Sequence, residues 1–269
     1  MKIREFNEVD GAIHQVAQMM SLSARNLIPP KADSSHINLK WDDNAKVLLG
    51  RTFTINGGPP VHMLFNPISF EVSFATGTDK LLSSLKMNGK SFRDYVAWWE
   101  SELLEMGIKK EFSKVLPDNF APTKTIKKPA ASLIDAWMCL RSQANDVFGA
   151  LNDISGHECE IRIWPHHFDT GVYYVIKLES GEASHAIGAG LAIADKISAQ
   201  PYYYMYGWRS EGEIDFSHAP QLSHGRWITE DWKGAIYPVF ESGQMADKEA
   251  IITFFETAYS YLSQHILVD

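Results

Sequence analysis

Cysteine is scarce. The two in 269 residues, Cys139 and Cys159, are too few and too far apart for a disulfide framework or a zinc motif. Cys139 falls in a helical pattern and Cys159 at the start of a strand, so both are expected as small buried hydrophobes. Long apolar runs are missing as well. No uncharged stretch approaches the roughly 18 residues a membrane span requires, and the first ten residues hold no apolar signal-peptide core. Nor is there an excess of positive charge. A formal net charge of −8 argues against nucleic acid or an anionic membrane as partner. The nearest basic cluster, Lys124 to Lys128, reads as a solvated linker. The common catalytic signatures are absent too: no Gly-x-Ser-x-Gly elbow, no Rossmann or Walker glycine pattern, no His-Glu-x-x-His and no kinase set. These absences leave a cytoplasmic protein outside the usual nucleotide and hydrolase machineries.

The residues present fit an α+β fold with largely antiparallel sheet and four principal helices. Helical periodicity runs from Asn7 to Leu27, with Val9, Ile13, Val16, Met20 and Leu27 on one stripe, Asn7 and Asp10 as caps and Pro29-Pro30 as the stop. His14 reads as an ordinary helix-surface or partly packed histidine. Strands are expected at Ile37–Trp41, Val47–Ile55 and Val61–Ala75, the last broken at Asn66-Pro67. Ser91 and Asp94 form a capping box for a helix ending at Gly107, and Lys80 to Leu85 is a short strand or turn before it. A long helix follows Pro129, with Leu133, Trp137, Leu140, Ala144, Val147, Phe148 and Leu151 inward. Strands at Glu158–Trp164, Val172–Leu178, His185–Ile193, Pro201–Trp208 and Gly234–Phe240 precede a terminal helix from Asp247 to Ile266. The element order repeats, so two similar halves are expected: residues 1–115 and 129–269, joined by a Pro-rich linker at 116–128, as an internal duplication would produce.

Chemistry gathers at Ile161-Arg-Ile-Trp-Pro-His-His-Phe-Asp169, where a strand pattern stops at Pro165 and two histidines and a carboxylate follow. His166 or His167 with Asp169 and His185 would make a His/His/Asp set suited to zinc, iron or manganese. Alternatively Asp169 could orient one imidazole, His166 or His185, as a general base. Plain turn architecture is the third reading. Ser184-His185-Ala-Ile-Gly-Ala-Gly190 places small residues at 184, 186, 188 and 190 on one strand face, where a ring or a ligand can approach the backbone. Tyr202, Tyr204, Tyr206 and Trp208 share one face of the next strand, more aromatics than a core requires, and suit a pocket wall with Trp164 and His167. His218 and His224, in a polar loop with Glu211, Glu213 and Asp215, are outer candidates.

At Trp164-x-x-x-Phe168-Asp169, Ser184-His185 with Ala189-Gly190, and Pro201-x-x-Tyr204-x-Tyr206, the chain resembles an uncharacterised bacterial family. Met106-Gly107-Ile108 is similar to that family's helix end, while His166-His167 stands where some of the family's patterns have small residues. The resemblance implies a site near Phe168, Asp169 and His185 and implies no activity. The leading expectation is a small-molecule pocket lined by His166, His167, Asp169, His185, Trp164, Tyr202 and Tyr204, with catalysis one use of it. A non-enzymatic module binding a ligand or a protein through the tyrosine face is the alternative. A metal-dependent hydrolase or oxygenase is the third. Oligomeric state is not legible.

Overall fold

The computed structural model describes residues 2–55, 57–115, 124–241 and 244–267. It shows the α+β class, with four α-helices and two antiparallel sheets among those residues. The chain divides into two compact units, neither of them a continuous stretch. The first unit comprises Glu8–Cys139 and Arg162–Phe168. The second comprises the residues up to Asn7, Leu140–Ile161, and the chain from Asp169 onward. This differs from the contiguous halves expected from element order. The expected linker at 116–128 lies in part, 116–123, outside the described residues. Its remaining part is anchored: Ile126 is buried and exchanges backbone hydrogen bonds of 2.7 and 2.8 Å with Gly89 and Lys90, where a solvated linker was expected.

In the first unit, α1 (Ile3–Leu27) contributes Val9, Ile13, Val16, Met20 and much of its remaining circumference to the core. The helix starts four residues before the expected Asn7. Neither expected cap acts as one: the Asn7 amide donates to the Ala199 carbonyl in the second unit, and Asp10 accepts from the Trp137 indole. The sheet follows: β1 (Lys40–Asp42), β2 (Val47–Leu49), β3 (Phe53–Thr54), β4 (Pro60–Asn66), β5 (Glu71–Thr76) and β6 (Lys80–Lys86). Its order is β1-β2-β4-β5-β6, all antiparallel, with β3 against β4. In β5 Val72, Ser73, Phe74 and Ala75 are buried in succession, because both faces of the strand are covered. α2 (Phe92–Glu105) starts at Ser91, whose hydroxyl accepts from the Asp94 amide while Asp94 accepts from the Ser91 amide. Its Trp99 is fully buried, with the indole donating to Ser23 at 2.8 Å.

α3 (Ala131–Ser155) begins in the first unit and continues in the second. The strand expected over Glu158–Trp164 shrinks to β7 (Arg162–Ile163), where Ile163 bridges Leu39. The second unit's sheet is built from β8 (Thr170–Glu179), β9 (Glu182–Ala192), β10 (Tyr202–Arg209), β11 (Arg226–Ile228) and β12 (Gly234–Pro238). The order is β8-β9-β10-β12-β11 and every pairing is antiparallel. A small hairpin, β13 (Phe240–Glu241) with β14 (Gln244–Met245), leads into α4 (Lys248–His265), capped by the Asp247 carboxylate. One face of the sheet carries Val172, Tyr174, Ile187, Ala189, Leu191, Tyr203 and Met205, all buried. Tyr203 packs its ring against Phe148 of α3 and Phe255 of α4, so this is the helix-covered core face. No described helix is long and apolar enough to cross a membrane.

Candidate functional site

The stretch from Trp164 to Asp169 folds as a tight turn. The Phe168 amide donates to the Trp164 carbonyl at 2.6 Å, and Phe168 takes a left-handed backbone, φ +62°. Such a conformation costs a side-chain-bearing residue about 1–2 kcal/mol. What holds it is the ring of Phe168, fully buried between two others. His14 stacks on one side at 5.1 Å and 4° between planes, and Trp137 on the other at 6.1 Å and 10°. His14 also places Nε2 2.9 Å from the Pro165 carbonyl oxygen. A carbonyl only accepts, so that nitrogen carries a proton. His14 is therefore a buried strut of the turn, more enclosed than the helix-surface or partly packed position the sequence suggested. The signal that could have found it is its spacing: Asp10, His14 and Gln18 stand four apart on an apolar helix, and all three are buried.

The expected site residues are divided between the two units. Trp164, His166 and His167 belong to the first unit; Asp169, His185, Tyr202 and Tyr204 belong to the second. His166 and His167 lie against each other, ring centroids 4.4 Å apart, with His167 exposed. Within the second unit, Asp169 precedes Thr170, which pairs with Leu191, whereas His185 pairs with Lys177. Six residues of extended strand separate Leu191 from His185, about 20 Å. The Asp169–His185 pairing considered for acid–base work is thus not assembled, because the two groups sit at opposite ends of β9. His185 has a partner of its own, with Nδ1 2.9 Å from the Ser184 hydroxyl. Among the described residues no group of three His, Cys, Asp or Glu side chains could hold a metal ion. The donor set proposed from His166, Asp169 and His185 therefore does not fit zinc, iron or manganese. Cys139 is exposed, contrary to its expected burial; Cys159 is half-buried, with its sulfur 3.5 Å from the Tyr173 amide nitrogen.

The second unit does assemble the tyrosine face, on the side of the sheet away from α3 and α4. Register explains it. Tyr204 pairs with Gly190 and Tyr206 with Gly188, while Tyr173 of β8 flanks Gly188 from the other side. The rings of β10 lean across the bare glycines: a β-carbon on Gly190 would stand 2.5 Å from the Tyr204 ring, and one on Gly188 would stand 2.4 Å from the Tyr206 ring. Trp232 likewise lies over Gly234, with a β-carbon there 2.6 Å from the indole. Tyr204, Tyr206 and Trp232 form a triangle with centroid separations of 6.1, 6.3 and 6.3 Å, and Tyr202 adjoins Tyr204 at 6.3 Å. The small-residue lane of β9 was expected to admit a ring, and the rings it admits are the protein's own. Beyond them Tyr173, Val175 and Trp208 remain 37, 40 and 41% exposed on the same face.

Two carboxylates bind the hydroxyls of this face. Tyr204 donates to Asp169 Oδ2 at 2.5 Å and Tyr202 to Asp195 Oδ2 at 2.9 Å. Asp195 is itself held by its loop, where Oδ1 accepts from the Ile197 and Ser198 amides. Burial, then the Asp169 charge and hydrogen bond, raises the Tyr204 hydroxyl well above the ordinary tyrosine range, and burial with Asp195 does the same for Tyr202. Burial, with the neighbouring Tyr173 and Asp169, pushes Tyr206 up to about 12. These phenols are hydrogen-bond donors throughout the physiological range, not bases or nucleophiles. Asp169 Oδ1, by contrast, is enclosed and has no hydrogen-bond partner among the described residues.

His218 and His224 belong to the loop between β10 and β11. There a cavity of about 500 Å³ is lined by Glu213, Ile214, Asp215, Phe216, Ser217, Thr229 and Lys233, without either histidine. Lys233 pairs with Glu213, and Asp215 accepts from the Ser217 amide and hydroxyl. Comparison with family models, with curated proteins and with solved structures gives no match for the chain.

Proposed function

We propose that this chain is a binding module whose ligand, a small organic molecule, lies on the ring-lined face of β8, β9 and β10. The observation that carries the proposal is the laying of Tyr204, Tyr206 and Trp232 over Gly190, Gly188 and Gly234 on the sheet face that no helix of the second unit covers. Aromatic side chains bring large contact area at low entropic cost, and their continued exposure at Tyr173 and Trp208 is what a docking surface has and a core lacks. An acid–base site is not favoured on this face, since its carboxylates are bonded to tyrosines and its histidine lies at the far end of β9. An exposed free thiol at Cys139 suits the reducing cytoplasm, where we place the protein's action.

The test is a fluorescence titration, since Trp208 and Trp232 report directly from this face. A library of small aromatic and alicyclic compounds should contain members that change the emission. Their affinity should fall about tenfold in Tyr206→Ala and in Trp208→Ala. Compounds that bind both variants as tightly as the unaltered protein would overturn the assignment.

A further inference from the structure

We infer that the ligand of this face carries a primary ammonium group, with Asp169 as its counter-charge; the inference rests on the ring-lined face being the binding surface. It follows from an inventory of donors and acceptors. The hydroxyls of Tyr202 and Tyr204 already donate to Asp195 and Asp169. The Asp195 carboxylate is satisfied on both oxygens. Asp169 is satisfied on one: Oδ2 accepts from Tyr204, while Oδ1 is withdrawn from solvent and lacks any donor among the described residues. A buried acceptor left in this state is destabilising, and a charged one more so. Among the described residues no lysine or arginine forms an ion pair with Asp169 or Asp195.

The face therefore presents rings, acceptors and an uncompensated negative charge, in a protein whose net charge is already −8. A partner that completes it must bring an N–H donor and a positive charge together. A neutral hydroxyl would satisfy the hydrogen bond and leave the charge. A quaternary ammonium would meet the charge and leave the oxygen without a donor. A primary ammonium meets both, and the faces of Tyr204, Tyr206 and Trp232 attract the same charge through their quadrupoles. The apolar remainder of the ligand would then extend toward exposed Tyr173 and Trp208. Access to the enclosed oxygen requires local movement of the side chains around it.

The probes are phenethylamine, 2-phenylethanol and trimethyl(phenethyl)ammonium, titrated calorimetrically into the full chain at neutral pH. The amine should bind at least tenfold tighter than the alcohol and tighter than the quaternary ion. Asp169→Asn should remove that preference, and Tyr206→Ala should weaken all the compounds it affects together. Equal affinity for amine and alcohol would overturn the ammonium assignment while leaving the face a binding surface. No binding of the amine would also overturn it, and the library titration then decides the binding reading separately. Because the amine-to-alcohol comparison is made on the unaltered protein, its result does not depend on Asp169→Asn folding.

Discussion

At the scale of single residues, backbone and side chain pull against each other at Phe168. Its left-handed φ favours glycine, yet its ring fills the space between His14 and Trp137. Phe168→Ala loses the ring and keeps the strain, at a cost of about 3–5 kcal/mol. Phe168→Gly loses the ring but relieves the backbone, so the smaller residue should be the less damaging by about 1 kcal/mol. Urea midpoints of the two variants decide the order. Two glycines offer a second contrast. Ala at 188 meets the far end of the Tyr206 ring, which can turn aside, at about 1 kcal/mol; Ala at 171 would stand 2.2 Å from the Ala189 carbonyl oxygen, which cannot. Gly171→Ala should therefore cost about 3 kcal/mol or more by the same denaturation measurement. The tyrosines add a pH dependence. Each has a folded pKa above its unfolded value of about 10. Above that pH the unfolded chain has lost protons that the folded chain retains, so stability falls as pH rises. The contribution is whole below about pH 10 and declines above it, Tyr206 through about 12 and Tyr202 and Tyr204 beyond that. Urea midpoints from pH 8 to 11.5 should show the decline, and Tyr206→Phe should make it shallower.

At the scale of elements, period and punctuation were legible and partnership was not. The capping box at Ser91 and Asp94, the inward face of α4 at Ile251, Phe254, Phe255, Ala258 and Leu262, and the turn at Asn66-Pro67 all follow from local rules. Ser91→Ala should lower stability by about 1 kcal/mol in chemical denaturation, the usual worth of such a cap. The paired faces of β10 were legible as well, because alternation alone puts Tyr202, Tyr204, Tyr206 and Trp208 together. Which face meets helices, and that rings would lie on the β9 glycines, depends on register between strands, which alternation does not encode. The same gap explains Asp169 and His185. Their closeness in sequence order suggested one site, and an antiparallel register carried them to opposite ends of β9. Short β11, β13 and β14 carry too few residues to show a period and escaped notice.

At the scale of the whole molecule, composition excluded more than it assigned. The acidic charge and the lack of long apolar runs agree with helices unsuited to crossing a membrane among the described residues. Element order gave the α+β class and four helices, and the two sheets share a run of successive antiparallel neighbours, β2-β4-β5-β6 in one and β8-β9-β10-β12 in the other. Boundaries were the illegible part, because a unit is defined by which segments pack together. The first unit borrows Arg162–Phe168 from beyond α3, and the second borrows the first turn of α1. Truncations at the expected linker should therefore give insoluble or molten fragments, a result that expression of residues 1–115 and 129–269 can check by circular dichroism and tryptophan emission.

That interleaving bears on how the chain is born. A ribosome delivers residues in order, and domains generally fold as they emerge. Here the first unit lacks its Trp164–Phe168 turn until α3 has been translated, and the second, though it holds residues before Glu8, waits for α4. Each unit waits on segments far apart in the chain, so the nascent polypeptide stays unfinished for longer than two contiguous domains would, and chaperone engagement during translation should be correspondingly prolonged.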